Sequence, residues 1–406
     1  MTVQTTSNLS NSIHTVYLQK YLMGVKALRV YDQLAVDYTT FAGGKSMDEL
    51  MRGSAVQVNF LSRMQPGVTA ISQSADVTPQ RLYDAIASVT PTSRGEALSW
   101  SQALDIQVYN DYTARAYEAV GMNAMESIEL LAQAAALQGS WVERATARAS
   151  LDAGTSSHRA SDSIFRKFQA MFETLRIPGF LTDSGENNVF SAIMHPFVYH
   201  DIAESGNVVS IGLYQDKGIH LHFELGQIGP FRLVSTGYAK VFGAAGADNG
   251  TNVATTLNGN VDPLSTTFVT AADVSANVAA GLFWWLGTEE TANTHYSTNE
   301  PVRPLSASTT TVTAMGSAPN GGLLYAHSSG EAVRNADSAY TIAFGGPQSL
   351  VKVYATDVGA DGEVVGPNKT GLLEQFNTLG WKYYGGYGRI SENRIMRYEC
   401  SVSYEA

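Results

Sequence analysis

The chain has 406 residues, 44% of them hydrophobic and only 16% charged, and a formal net charge of −11. That acidity argues against a protein that wraps a polyanion by neutralising its phosphates, which needs dense Lys and Arg. A charged share well under the usual value of about 25% implies a surface that is largely neutral polar or covered by partners.

The length allows two to three globular units, or one domain carrying a large insertion. A single cysteine, Cys400, excludes a disulfide framework or a zinc cluster within one chain and fits a reducing compartment. The opening MTVQTTSNLSNSIHTVY is polar, and no apolar run reaches the ~18 residues that span a bilayer. Neither a secretory leader nor a membrane anchor is expected.

Residues 12–36 carry apolar side chains at helical spacing, with Ser12 as a cap and Gly24 as an interior weakness, and predict a helical N-terminal arm within 1–55. In AVQVNF, Val56, Val58 and Phe60 share one side, which predicts a half-buried strand. From Ser62 to Trp100 the chain is rich in Ser, Thr, Pro and Gln, with Leu82, Ile86 and Val89 along its return. This predicts a long projecting hairpin with too little apolar mass to fold alone; strand and extended loop together occupy 56–112. From about Thr113 to Arg148, AMESIELLAQAAALQGSWVERATAR predicts a helix of about 30 residues, ~45 Å long. A second helix begins at a Ser161 or Asp162 cap, sets Ile164, Phe165, Phe168, Met171, Phe172 and Leu175 on one face, and stops before Pro178. These two helices belong to a unit over 113–177.

FSAIMHPF then reads as a strand leading into a short helix. Further on, Ile219, Leu221, Phe223 and Leu225 alternate with His220, His222 and Glu224, as in a strand with one wet face. Both lie in a unit over 178–242. Residues 243–337 shift to Thr, Ala, Ser, Asn and Gly with turn signals such as DNG and APNGG. They predict an inserted, loop-rich β subdomain anchored by FWWLG, Phe283 to Gly287. Core-like sequence returns in 338–406 with SAYTIAFGG and SLVKVYATD, and a DG turn falls at Asp361 and Gly362. In the last stretch Met396, Tyr398, Cys400, Val402 and Tyr404 alternate with Arg397, Glu399, Ser401, Ser403 and Glu405, which predicts a strand with one buried face. Cys400 then falls on the core side, a small packing residue rather than a reactive thiol.

Motifs that could carry chemistry are weak. Gly44, Lys45 and Ser46 match the tail of a phosphate-binding loop, but Thr39 stands where its first glycine belongs. His220, His222 and Glu224 could project together from a strand toward a metal, yet no third histidine sits at a telling distance. His195 precedes Pro196 at a helix start, with His200 and Asp201 following, but no serine occupies a nucleophile elbow. Asn249-Gly250-Thr251 fits a glycosylation sequon and reads as a turn. In GWKYYGGYGRISENRIMRYECSV, Gly380 to Val402, rings alternate and charges are mixed in sign, so the segment reads as part of a wall rather than a base-stacking platform. No catalytic, cofactor-binding or metal residue is assigned.

Four segments carry a family likeness: FSAIMHPFVYHDI (190–202), LGQIGPFRLVSTG (225–237), SAYTIAFGG (338–346) and LGWKYYGGYGRISENRIMRYECSVS (379–403), with SQSADVTPQRL (72–82) a weaker match. In their order and spacing the chain resembles the major capsid protein of tailed bacteriophages, with the Hong Kong 97-type fold. More narrowly, it is similar to the N-four-like (Enquatro-type) coat-protein family. The likeness covers most of 40–240 and 338–403 and leaves the insertion uncovered.

The resemblance implies an α+β fold with N-terminal arm, extended loop, spine helix, peripheral domain, axial domain and β-rich insertion. It implies a loop near 62–100 that overlaps a neighbouring subunit, and self-assembly through hexamers and pentamers into an icosahedral shell around double-stranded DNA held by loose contact. Portal and scaffolding or decoration proteins would be further partners. The chain would be no enzyme, need no cofactor, avoid membranes, and end in the virion after assembly in the bacterial host cytoplasm. Some capsids of this fold are welded by lysine-to-asparagine bonds from the extended loop; 62–100 holds no lysine, so a non-covalent shell is expected. The competing readings are an encapsulin-like compartment shell of the same fold, a metal-dependent enzyme using His220, His222 and Glu224, and a free-standing adhesin built on the insertion.

Overall fold

The computed structural model describes residues 45–46, 55–61, 64, 66–67, 79–107, 112–181, 187–204, 208–210, 224–247, 253–278, 283–287, 299–346, 349–355, 361–371, 374–389 and 391–405. The expected arm helix over 12–36 and the sequon at 249–251 lie outside them. In chain order the main elements are strands β1 (Val56–Leu61), β2 (Asp84–Val89) and β3 (Thr92–Ser101), helix α1 (Tyr112–Leu137), strand β4 (Val142–Arg144) and helix α2 (Asp162–Thr174). They continue with β5 (Asn187–Met194), α3 (Pro196–Glu204), β6 (Glu224–Ile228) and β7 (Phe231–Ser235). The chain ends with β8 (Ala339–Gly345), β9 (Leu350–Tyr354), β10 (Glu363–Thr370), β11 (Phe376–Arg389) and β12 (Ile395–Cys400).

Strands β1 and β2 form a two-stranded antiparallel ribbon, from Val56 opposite Val89 to Leu61 opposite Asp84. Its root is buried, with Val56 and Val89 packed on Val351 and Val353 of β9. Strand β3 then joins a five-stranded sheet, pairing with β11 residue by residue from Thr92 opposite Gly385 to Ser101 opposite Phe376. Helix α1 lies on this sheet. Tyr117, Val120, Ala124 and Ile128 bury against Leu379, Trp381 and Tyr383, and the Trp381 indole N–H donates to Asn123 Oδ1 at 2.8 Å.

The glycines of β11 and its neighbours have a steric cause. A Cβ at Gly95 would sit 2.4 Å from the Trp381 carbonyl, one at Gly380 2.8 Å from the Glu96 carbonyl, and one at Gly388 2.2 Å from the Val89 side chain. Strands β2, β3 and β11 approach too closely for side chains at these points.

Helix α1 is 26 residues long, ends at Leu137, and does not continue to Arg148 as expected. Its last carbonyls are satisfied by side chains from distant strands: Arg389 donates to Ala136 O and Arg397 to Leu137 O, both at 2.8 Å. Such cations also suit the negative end of the helix dipole. Gly139 leaves room for the Arg389 guanidinium, which would lie 2.1 Å from a Cβ there. The chain then turns into β4, which pairs parallel with β12.

The nine-stranded sheet runs β4-β12-β8-β5-β7-β6 and on to the short strand Val209–Ser210. Helix α2 covers one face as its pattern requires. Phe165, Phe168 and Phe172 are buried among Phe190, Phe231 and Phe344, with Phe168 stacked on Phe344 at 4.3 Å between centroids. Leu175 departs from the expected stripe. It follows the last helical turn and is 45% exposed, because Arg176 adopts φ +52° and sends Ile177 into the core in its place.

Two other expected alternations break. At β6, Leu233 pairs with Gly226 but Val234 pairs with Glu224, so Leu225 is the extra residue of a bulge and stands exposed. At β12 all six residues are buried, including Arg397 and Glu399, because the strand is interior to the sheet and both its faces are covered. The strand stops at Cys400. Residues 403–405 form a 3-10 turn, which leaves Tyr404 exposed and buries Glu405.

Between β7 and β8 a six-stranded sheet is built from 254–334 alone, in the order Ala254–Thr256, Ala332–Arg334, Trp284–Leu286, Glu300–Ser308, Thr311–Met315, Thr267–Val269. Its core centres on Trp284, Leu286, Phe268, Val302, Val312 and Val333. Phe283, next to Trp284, reaches the main body, its ring 6.2 Å from Phe197 and 5.7 Å from Tyr404. The two connections to this sheet meet: Gly246 N–H donates to Asp337 O at 2.6 Å, and Asp337 N–H to Ala247 O at 3.1 Å.

Candidate assembly surface

Exposed apolar side chains occur at several places on the described residues, and one group of them lies on the ribbon and the segment leading into it. Leu82, Tyr83 and Ile86 are 50%, 67% and 56% exposed, and Met64 across the same projection is 61% exposed. A two-stranded ribbon has marginal stability by itself, yet this one is rooted firmly by Val56 and Val89. Beside its root, among the described residues, β3 is an edge strand of ten residues, exposed over most of its length and paired through β11. An edge of this length and exposure is a natural place for another chain to bind.

The residues considered for catalysis do not assemble into a site. Lys45 and Ser46 form a two-residue strand parallel to β9, with Lys45 opposite Val353. His195 Nδ1 accepts the Phe197 N–H at 3.3 Å, a cap on α3, and burial pushes its pKa down to about 4. His200 points to solvent, while Asp201 is used by the C-terminal segment, accepting the Ser403 N–H at 2.8 Å and the Ser403 hydroxyl. Cys400 is fully buried, its sulfur 3.8 Å from the Tyr340 carbonyl, and burial pushes the thiol far above its usual range. His220 and His222 lie outside the described residues; Glu224 opens β6, but its side chain does too. Among the described residues, no three His, Cys, Asp or Glu side chains are grouped to hold a metal.

What the sequence reading missed is a buried charge cluster on the supposedly wet side of β12. Glu399 receives Arg144 Nε at 2.6 Å, Arg148 Nε at 3.0 Å and Nη2 at 2.6 Å, and lies 3.1 Å from Arg397 Nε. Burial alone would raise its carboxyl; the arginine hydrogen bonds and charges outweigh burial and hold it below the usual carboxylate range. The Phe242 ring lies beneath Arg148 at 3.7 Å and Arg397 at 5.7 Å. This cluster ties the end of α1, β4 and β12 together.

A projecting ribbon, a long helix laid on a small sheet, and a larger mixed sheet bearing an insertion define the Hong Kong 97-type capsid fold, and this chain has it. No protein-family model and no curated protein sequence matches the chain. Solved structures do. The capsid of Ralstonia phage GP4 is similar with a TM-score of 0.56 at 12% identity, over 88% of this chain and 86% of that one. The capsid of Cyanophage Pam1 aligns with a TM-score of 0.47 at 11% identity over 87% of each chain. An encapsulin complex from Synechococcus elongatus aligns at 0.38 and 9% identity, over 85% and 81%. At such identities the likeness establishes the fold, and the first of these carries it.

Proposed function

We propose that this chain is the major capsid protein of a tailed bacteriophage, of the N-four-like kind, and that copies of it tile an icosahedral shell around double-stranded DNA. The observation that carries the reading is the ribbon of a shell fold with Leu82, Tyr83 and Ile86 left open to solvent. A rooted ribbon with exposed apolar side chains is best covered by another copy, and closed symmetry multiplies such modest contacts into a stable container. The net charge of −11 favours loose spooling of DNA over adsorption to the wall.

Electron microscopy of the purified chain tests this directly. The expected result is closed particles tens of nanometres across, a scale set by the many-subunit symmetry of such shells. The double variant Tyr83→Glu, Ile86→Glu should leave a folded subunit that forms none. Wild-type protein that stays monomeric at high concentration would sink the proposal.

A compartment shell that encloses enzymes shares the fold, and the contents of particles made in the native host separate the two: packaged DNA supports the capsid, a co-purifying cargo enzyme the compartment. The portal and any scaffolding or decoration protein would be recognised as further partners in the same preparation. The shell is expected to be non-covalent, since 62–100 carries no lysine; denaturing gels should show a single subunit band rather than a ladder.

A further inference from the structure

The insertion holds a buried histidine that shell assembly does not call on. His327 is 2% exposed, with Nδ1 2.8 Å from Glu331 Oε2 and Nε2 3.0 Å from Glu300 Oε1. A neutral imidazole has one N–H and one lone pair, so one of these contacts would set a lone pair against a carboxylate oxygen with no water to separate them. With both glutamates ionised, only the doubly protonated ring satisfies both contacts.

The same two carboxylates hold the surrounding chain. Glu300, itself 2% exposed, accepts the Leu324 N–H at 2.8 Å and the Tyr325 N–H at 3.3 Å; Glu331 accepts the Ser328 N–H at 3.0 Å. His327 also exchanges two backbone hydrogen bonds with Val261, each 2.9 Å. Leu324 and Tyr325 line a cleft of about 290 Å³ between the insertion and the main body, facing Tyr238 and Glu126. The segment 324–331 therefore connects the insertion core to the boundary with the rest of the molecule.

We propose that His327 is a latch, an imidazolium clamped between Glu300 and Glu331, and that the segment 324–331 is held while the ring keeps both protons and released when it loses one. The charges acting on the ring are those of Glu300 and Glu331. Tyr325 shares the field of Glu300, and burial with Glu126 and Glu300 keeps its phenol neutral above its usual range.

Burial alone would lower the imidazole pKa, but the bonds and charges of the two glutamates leave it raised above 6.5. A raised folded-state value means stabilisation that is complete below about 6.5 and is lost as pH rises through the folded value. Glu331 has the opposite sign. Its carboxyl is held below 4.5 despite some burial, by the Ser328 N–H and His327, so its share is present above 4.5 and lost as pH falls through the folded value. The latch thus operates between these two limits.

Nitrogen NMR of the full-length chain labelled at histidine tests the proposal. His327 should show two protonated ring nitrogens at pH 6.5, with a midpoint above the ordinary imidazole value of about 6.5. Glu331→Gln should lower that midpoint and, at fixed pH, speed amide hydrogen exchange in 324–328 while leaving the strand Thr311–Met315 unchanged. His327→Gln identifies the signal; if that variant does not fold, the shift in Glu331→Gln identifies it instead. A single protonated nitrogen on His327 at pH 6.5, a midpoint at or below about 6.5, or a midpoint and exchange pattern indifferent to Glu331→Gln would each overturn it.

Discussion

Glu399 shows how much one side chain can depend on residues far away in the chain. Its carboxylate is fully buried, and its arginine partners Arg144 and Arg148 stand 255 and 251 positions earlier. Removing it leaves guanidinium groups facing each other near a helix end. Breaking a buried pair in this way costs about 3–5 kcal/mol, so Glu399→Ala should lower the unfolding free energy of the subunit by that much, read as a fall in its urea midpoint. Arg144→Ala, at a side chain 37% exposed, should cost only about 1 kcal/mol. Equal effects from the two variants would mean that the cluster is not the keystone its geometry suggests. From sequence alone, alternation in RIMRYECSVSYEA located the core side correctly through Met396, Tyr398 and Cys400. It assigned Glu399 to solvent because period-two patterning describes one face and is silent on whether the other is covered.

Among the elements, helix α2 was legible to within a turn because its phenylalanines recur at helical spacing and its start and stop carry local signals. Phe168 lies at the centre of that face, fully buried against Phe344 and Tyr398. Phe168→Ala should cost about 3–5 kcal/mol by loss of transfer energy plus a cavity, read as a fall in thermal midpoint. Helix α1 was legible in type but not in length. Gln138, Gly139 and Ser140 follow Leu137 and weaken the helix locally, and Arg389 and Arg397 arriving from β11 and β12 cap its last carbonyls. The good helix formers Glu143, Arg144 and Ala145 lie beyond that break and obscure it in the sequence. Glycine patterning in β11 is likewise explained only by its neighbours. Gly95→Ala would drive a methyl into the Trp381 carbonyl, 2.4 Å away, and should destabilise by about 1–3 kcal/mol; an unchanged thermal midpoint would show that β3 can slide away from β11 at no cost.

At the scale of the whole molecule, the insertion leaves and rejoins the body through hydrogen bonds between Gly246, Ala247 and Asp337. It also has its own core around Trp284. Excising 248–336 and bridging the gap with a short glycine linker should therefore leave the nine-stranded sheet folded, with a circular-dichroism spectrum and cooperative melt of a native protein. Collapse to an unfolded chain would show that the contact of Phe283 with Phe197 and Tyr404 is essential to the body.

Residue order by itself determined the types of the strongly periodic elements, the shift in composition that marks the insertion, the acidity that argues against tight DNA binding, and the absence of lysine from 62–100. These are local or additive properties, readable without knowing what touches what. Only the tertiary structure decided how the end of α1 is capped, that β12 is covered on both faces, that Leu225 bulges outward, and that His327 meets two glutamates. Each of those depends on groups brought together from distant parts of the chain, and burial, which sets their energies, is a property of the assembled core rather than of any segment.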